Sequence, residues 1–124
     1  MGQAESSDHC KTLGGRLALV TSADEMKAIW SYMRVFGSSY RVWVDGTDAA
    51  TEGVWVTEAG EPMSYLGFTG VQPNGGTKEN CIGVAPYHVF DITCTSNTLV
   101  FNALCEYYRC GRGRMSFTMN VTTC

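Results

Sequence analysis

The stretch Cys10-Lys11-Thr12-Leu13-Gly14-Gly15-Arg16-Leu17-Ala18 joins two kinds of local structure. Before it, residues 3–13 read as a short helix, which Gly14-Gly15 stop at the point where a left-handed residue is wanted. After it, residues 16–21 read as an extended segment. Ser22-Ala23-Asp24-Glu25 then forms a capping box, in which the serine hydroxyl serves the N–H three residues on and Glu25 reaches back. Met26, Ile29, Trp30 and Met33 follow at i, i+3, i+4 and i+7, which predicts an amphipathic helix ending near Gly37 with this stripe in the core. Beyond Ser39 the pattern changes to β. Arg41-Val42-Trp43-Val44, Gly53-Val54-Trp55-Val56, Cys81-Ile82-Gly83-Val84 and Ala103-Leu104-Cys105-Glu106-Tyr107 are all strand-like. Between Thr57 and Asn80 lies a long stretch rich in Gly, Pro, Ser and Thr, and irregular segments of that length are usually functional or disordered. Two helices followed by strands around one long loop make an α+β plan.

The chain has 124 residues, enough for one domain. Hydrophobic residues make up 44% and charged ones 17%, which sets it apart from disordered chains. Apolar runs such as Leu17-Ala18-Leu19-Val20 are far shorter than the roughly 20 residues of a membrane span. A formal charge of −3 gives no global field to attract nucleic acid. Three arginines, Arg109, Arg112 and Arg114, surround Cys110-Gly111-Arg112-Gly113; so few charges read as a solvated turn.

Six cysteines in so short a chain, with no CxxC and only His9 and His88, do not assemble a zinc site. They point to three disulfides in an oxidising compartment, hence to a secreted or extracellular protein, and leave 15 pairings open. Asn120-Val121-Thr122 is an N-glycosylation acceptor. Met1-Gly2-Gln3 leads into polar residues, so no leader is read here and a natural one is expected to have been removed.

The ordered set of motifs resembles a C-type lectin-like domain. Residues 10–18 look like the family's first helix and following strand, and Trp43-Val44-Asp45-Gly46 stands in place of its Trp-Ile-Gly-Leu signature. Glu52-Gly53-Val54-Trp55-Val56, then Gln72-Pro73-Asn74, then Cys81, Cys94 and Cys105 follow in the family's order. The resemblance covers most of the chain and implies a small disulfide-stapled α+β domain over residues 1–109, with two helices, small antiparallel sheets and a long ligand-bearing loop. It also implies disulfides Cys10–Cys105 and Cys81–Cys94. Cys110 and Cys124 remain, and pairing with each other is the simplest inference.

No enzyme is read here. His9 and His88 have no orienting partner in the pattern, with His88 in a turn after Tyr87. The acids lie among Gly, Thr and Asn rather than in an apolar cleft. Calcium suits them better, since it takes six to eight oxygen ligands from carboxylates, amides, backbone and water. The resemblance assigns Gln72, Asn74, Glu79 and Asp91 to one calcium and its sugar, around a cis proline, and matches Asp48 and Glu52 to an auxiliary calcium site. Gly75 stands where that second site often has a further carboxylate. Two departures matter. Gln72-Pro73-Asn74 mixes the Glu-Pro-Asn of mannose-type sites with the Gln-Pro-Asp of galactose-type sites; Gln72 leans to galactose-type ligands, and Asn74 argues the other way. Phe90 replaces the amide before Asp91.

The expected function is therefore non-catalytic, calcium-dependent glycan binding by a lectin module, with a calcium-independent protein-interaction or scaffold domain of the same fold as the alternative. One further expectation comes from the tail, residues 110–124. Met115, Phe117, Met119 and Val121 alternate with polar residues, the period of a half-buried strand. The resemblance implies an N-terminal strand before the first helix, and this sequence is read as going straight into the helix. Residues 114–122 are expected to take that strand's place beside the last core strand, in their own subunit or swapped into a second copy, with Asn120 toward solvent.

Overall fold

A computed structural model of the chain describes residues 2–95, 101–109 and 113–117. Helix α1 (Gln3–Thr12) ends at Gly14, whose φ of 84° is the left-handed conformation that glycine adopts without strain. Gly15 lets the chain pass against Tyr107, since a Cβ there would lie 2.5 Å from that ring. The chain then enters the short strand β1 (Arg16–Leu17). Helix α2 (Ala23–Met33) is capped by Ser22 Oγ, which accepts from Glu25 N–H at 3.1 Å; Glu25 reaches back one residue further than a capping box requires, to Thr21. Met26, Ile29 and Met33 are buried, and a single 3₁₀ turn (Arg34–Phe36) brings the helix to its stop at Gly37.

Strands β2 (Val42–Thr47), β3 (Cys81–Ala85) and β4 (His88–Ile92) form an antiparallel meander, with β5 (Asn102–Ala103) parallel to β2 on its far side; the order is β4-β3-β2-β5. The sheet is covered on both faces, which is why Val42-Trp43-Val44 is apolar without a break. Val42 and Val44 join Met26, Ile29, Met33, Ile82, Val84 and Leu104 in one core; Trp43 joins Cys10, Leu17, Phe90, Phe101 and Tyr107 in the other. A second sheet of order β1-β6-β7 contains β6 (Cys105–Arg109) and β7 (Gly113–Phe117), with β6 antiparallel to both neighbours. Disulfides Cys10–Cys105 and Cys81–Cys94 staple α1 to β6 and β3 to the segment after β4. No helix among the described residues is long and apolar enough to cross a membrane.

Three strand assignments change. Residues 53–56 form no strand: Gly53, at a φ of 82°, turns the chain, and the segment is held by bridges from Val56 to Thr47 and Pro62 and by Met63 N–H donating to the Trp55 carbonyl. The run 103–107 breaks at Leu104, whose two sides pair in different sheets. His88 opens strand β4 instead of lying in the turn; the turn itself is carried by Tyr87, at φ 63°. In the tail, β7 pairs Tyr107 with Ser116 and Arg109 with Gly113, while residues 118–122, the Cys110–Cys124 pairing and the Asn120 acceptor lie outside the described residues.

Candidate functional site

The loop after Phe68 is held against β4 by two sets of hydrogen bonds. In the first, Thr69 N–H donates to the Val89 carbonyl at 3.1 Å, and Val89 N–H donates to Thr69 Oγ1 at 3.0 Å. In the second, Asp91 receives Asn74 N–H on Oδ1 at 3.0 Å and Gly75 N–H on Oδ2 at 2.9 Å. Gln72 Oε1 lies 3.4 Å from Asp91 N–H, and the Gln72–Pro73 bond between these contacts is cis. A buried carboxylate that accepts two amides is the strong, charge-assisted form of hydrogen bond, so Asp91 fixes the loop tip. β4 is a sheet edge, and the loop covers the groups that an edge would otherwise expose.

Between the loop and β4 opens a cavity of about 290 Å³. Gln72, Asn74, Glu79 and Asp91, the four residues expected from the sequence, all line it. Glu79 folds over Gly75, where a Cβ would come within 2.3 Å of the glutamate's own Cβ and Cγ. The absence of a side chain at position 75 is therefore what lets the Glu79 carboxylate turn inward. Burial, and then the charge of Asp91, push the Glu79 carboxyl above its ordinary value.

Asp48 and Glu52 do not line this cavity. Asp48 is buried, with Oδ2 accepting Gly53 N–H at 2.9 Å and Oδ1 without a hydrogen-bond partner. Asn80 Oδ1 is likewise buried and unpartnered. Burial, then the nearby Asp48 carboxylate and more weakly Asp91, raise Glu52. Among the described residues no three acidic, histidine or cysteine side chains are arranged to hold a metal ion. The donor set nonetheless fits calcium: every candidate offers oxygen, the Glu52 and Glu79 carboxyls are raised by neighbouring carboxylates, and two buried oxygens lack a donor.

The rest of the cavity wall is made by Arg41, His88, Phe90 and Ile92. Phe90 lies flat across β3 because residue 83 is glycine; a Cβ there would sit 2.6 and 2.8 Å from the Phe90 ring and 2.9 Å from Phe101. The His88 ring stacks on Phe90 at 5.1 Å and 27°, with Nδ1 2.7 Å from Thr69 Oγ1, and the Arg41 guanidinium lies 6.0 Å above the same ring. Sequence reasoning missed both polar members of this wall. The period-two run from His88 to Ile92 carried a signal for His88; nothing local marked Arg41, which reaches the site only through the β2-β3-β4 pairing.

A family model for the lectin C-type domain matches residues 1–107. Tetranectin of Bos taurus is 35% identical over 97 residues, covering 73% of this chain and 48% of that protein, so the chain spans about half the length of such relatives. The carbohydrate-recognition domain of the mouse scavenger receptor C-type lectin superposes with a TM-score of 0.68 at 21% identity, over 77% of this chain and 75% of that one. A calcium-independent type II antifreeze protein superposes with a TM-score of 0.64 at 22% identity, over 77% and 72%. The match over residues 1–107, together with the two disulfides and the loop seated on β4, shows that the chain belongs to the C-type lectin domain family.

Proposed function

We propose that the chain is an extracellular module that binds a saccharide in the cavity between the loop and β4 with the help of calcium. One observation carries this reading: Gln72, Asn74, Glu79 and Asp91, separated by up to 19 positions, line a single open cavity. At about 290 Å³ the cavity is at the small end of ligand pockets, the scale of one sugar ring. The carboxylates of Glu79 and Asp91 and the amide oxygens of Gln72 and Asn74 would hold the ion, which supplies open coordination sites for sugar hydroxyls. The chain's own contribution is to fix the loop tip through Asp91 and to keep Glu79 turned inward over Gly75. Members of this family are generally non-catalytic binding proteins, and a binding role is what we propose here. Gln72 tilts the choice toward galactose-type over mannose-type ligands.

A calcium-independent interaction domain is the second reading. Phe90 favours it, because an apolar ring seated on Gly83 now fills a position where the family resemblance expects an amide ligand. That one solved neighbour is a calcium-independent protein supports the same possibility. Thermal melting across a calcium titration, followed by glycan-array binding in calcium and in chelator, separates the two. A ligand that binds only the folded state raises stability by RT ln(1+[L]/Kd). The first reading expects a rise in Tm with millimolar calcium and sugar binding that chelator abolishes. An unchanged Tm, with no sugar bound, would leave the second.

A further inference from the structure

We propose that the saccharide taken by this cavity carries an acidic group, a sulfate ester or a carboxylate, seated against Arg41. The inference rests on the sugar-binding reading of the same cavity and adds the chemical class of the ligand.

Glu79, Asp91 and Arg41 all line the cavity, so it offers a guanidinium as well as carboxylates. Among the described residues the ion pairs are Lys11–Glu58 and Arg16–Glu106, so Arg41 faces the cavity without a carboxylate partner. Its Nη1 donates to the carbonyls of Ser38 at 3.3 Å and Tyr40 at 3.5 Å, which orients the group from behind. Nε and Nη2 have no partner among the described residues, and a planar guanidinium fork matches the oxygens of a carboxylate or sulfate. The Phe90 ring lies 6.0 Å beneath it, at the outer range of a cation–π contact.

His88 lines the same cavity, with Nδ1 paired to Thr69 Oγ1 at 2.7 Å and its ring stacked on Phe90. An anion placed against Glu79 or Asp91 would be repelled, so charge favours an acidic sugar bound with its anion at Arg41 and its neutral hydroxyls toward the carboxylates.

The test measures affinities in calcium for galactose and mannose, their 6-sulfates and their uronic acids, by calorimetry on the wild-type chain, Arg41→Gln and Arg41→Lys. Melting curves check that each variant is folded. At least one acidic sugar should bind about tenfold tighter than its neutral parent, the scale of one added charge-assisted hydrogen bond. Arg41→Gln should bring that ratio to within about twofold of one, and Arg41→Lys should restore part of it. The sulfate and uronate arms tell which acidic group is preferred. Equal binding of acidic and neutral sugars, or a preference that survives Arg41→Gln, overturns the inference while leaving the calcium-sugar reading intact. Acidic-sugar binding that needs Arg41 yet persists in chelator supports the inference and overturns the calcium part. No binding of any of the six sugars overturns both.

Discussion

Replacing Gly83 by alanine probes how Phe90 came to occupy the site. Gly83 has an ordinary φ, so an alanine backbone is unstrained there and the effect is one of packing. The new Cβ would meet Phe90 Cε2 at 2.6 Å, Phe90 Cζ at 2.8 Å and Phe101 Cε2 at 2.9 Å, all well inside contact distance. Phe101 is stacked on the fully buried Trp43 at 4.5 Å, so it has little room to yield, and the Phe90 ring must move. Overpacking of this kind costs about 1–3 kcal/mol, offset by about 0.4–1 kcal/mol from the stiffer unfolded chain. A net loss of about 1–2 kcal/mol remains. For 124 residues the unfolding entropy is about 0.26 kcal/mol/K, so Tm should fall by about 4–8 °C. Melting of the disulfide-intact protein measures this. In a Phe90→Leu background the same Gly83→Ala change should cost less than half as much, because the ring it strikes is gone. A Gly83→Ala variant that melts with the wild type, or one whose cost is unaltered by Phe90→Leu, would refute the claim that Gly83 seats Phe90.

Other outcomes follow from the same geometry. Asp91→Ala removes the acceptor of Asn74 and Gly75 N–H, so both amides should lose hydrogen-exchange protection, and stability should drop by about 2–4 kcal/mol in urea melts. The Glu79 carboxyl is raised in the fold, so the folded state holds that proton more tightly than the unfolded chain does. Its contribution to stability is therefore full below the ordinary glutamate value of about 4.3 and falls as pH rises above it in calcium-free buffer, and Glu79→Gln should remove that slope from the urea midpoints. Truncation after Cys110 deletes β7 and bares the outer edge of β6; it should lower Tm and produce concentration-dependent association in analytical ultracentrifugation, whereas a soluble monomer of unchanged Tm would make the strand dispensable.

The stop at Gly14, the α2 stripe and the long loop were legible because each rests on neighbours in the chain. A left-handed residue, a 3.6-residue period and a cluster of turn formers act over a few positions. The two described disulfides and the gathering of Gln72, Asn74, Glu79 and Asp91 at one cavity were legible through family resemblance, which supplies long-range information that spacing alone does not. Residues 53–56 misled because their apolar alternation is shared by a strand and by a segment that merely buries Trp55 under the loop. The break at Leu104 was invisible because a run of buried residues reads the same whether it pairs in one sheet or two.

By itself the sequence determined the α+β plan, both helices and, through the resemblance, four oxygen-bearing residues that line one cavity. The tertiary structure alone decided how that site is built. Asp91 turns its oxygens to the loop backbone, Glu79 folds into the space above Gly75, and Phe90 lies over Gly83 with His88 and Arg41 around it. Each of these contacts joins groups whose proximity is set by strand register and by the path of the loop. Register depends on which faces are buried when the whole sheet is assembled, and no local stretch of sequence carries that information.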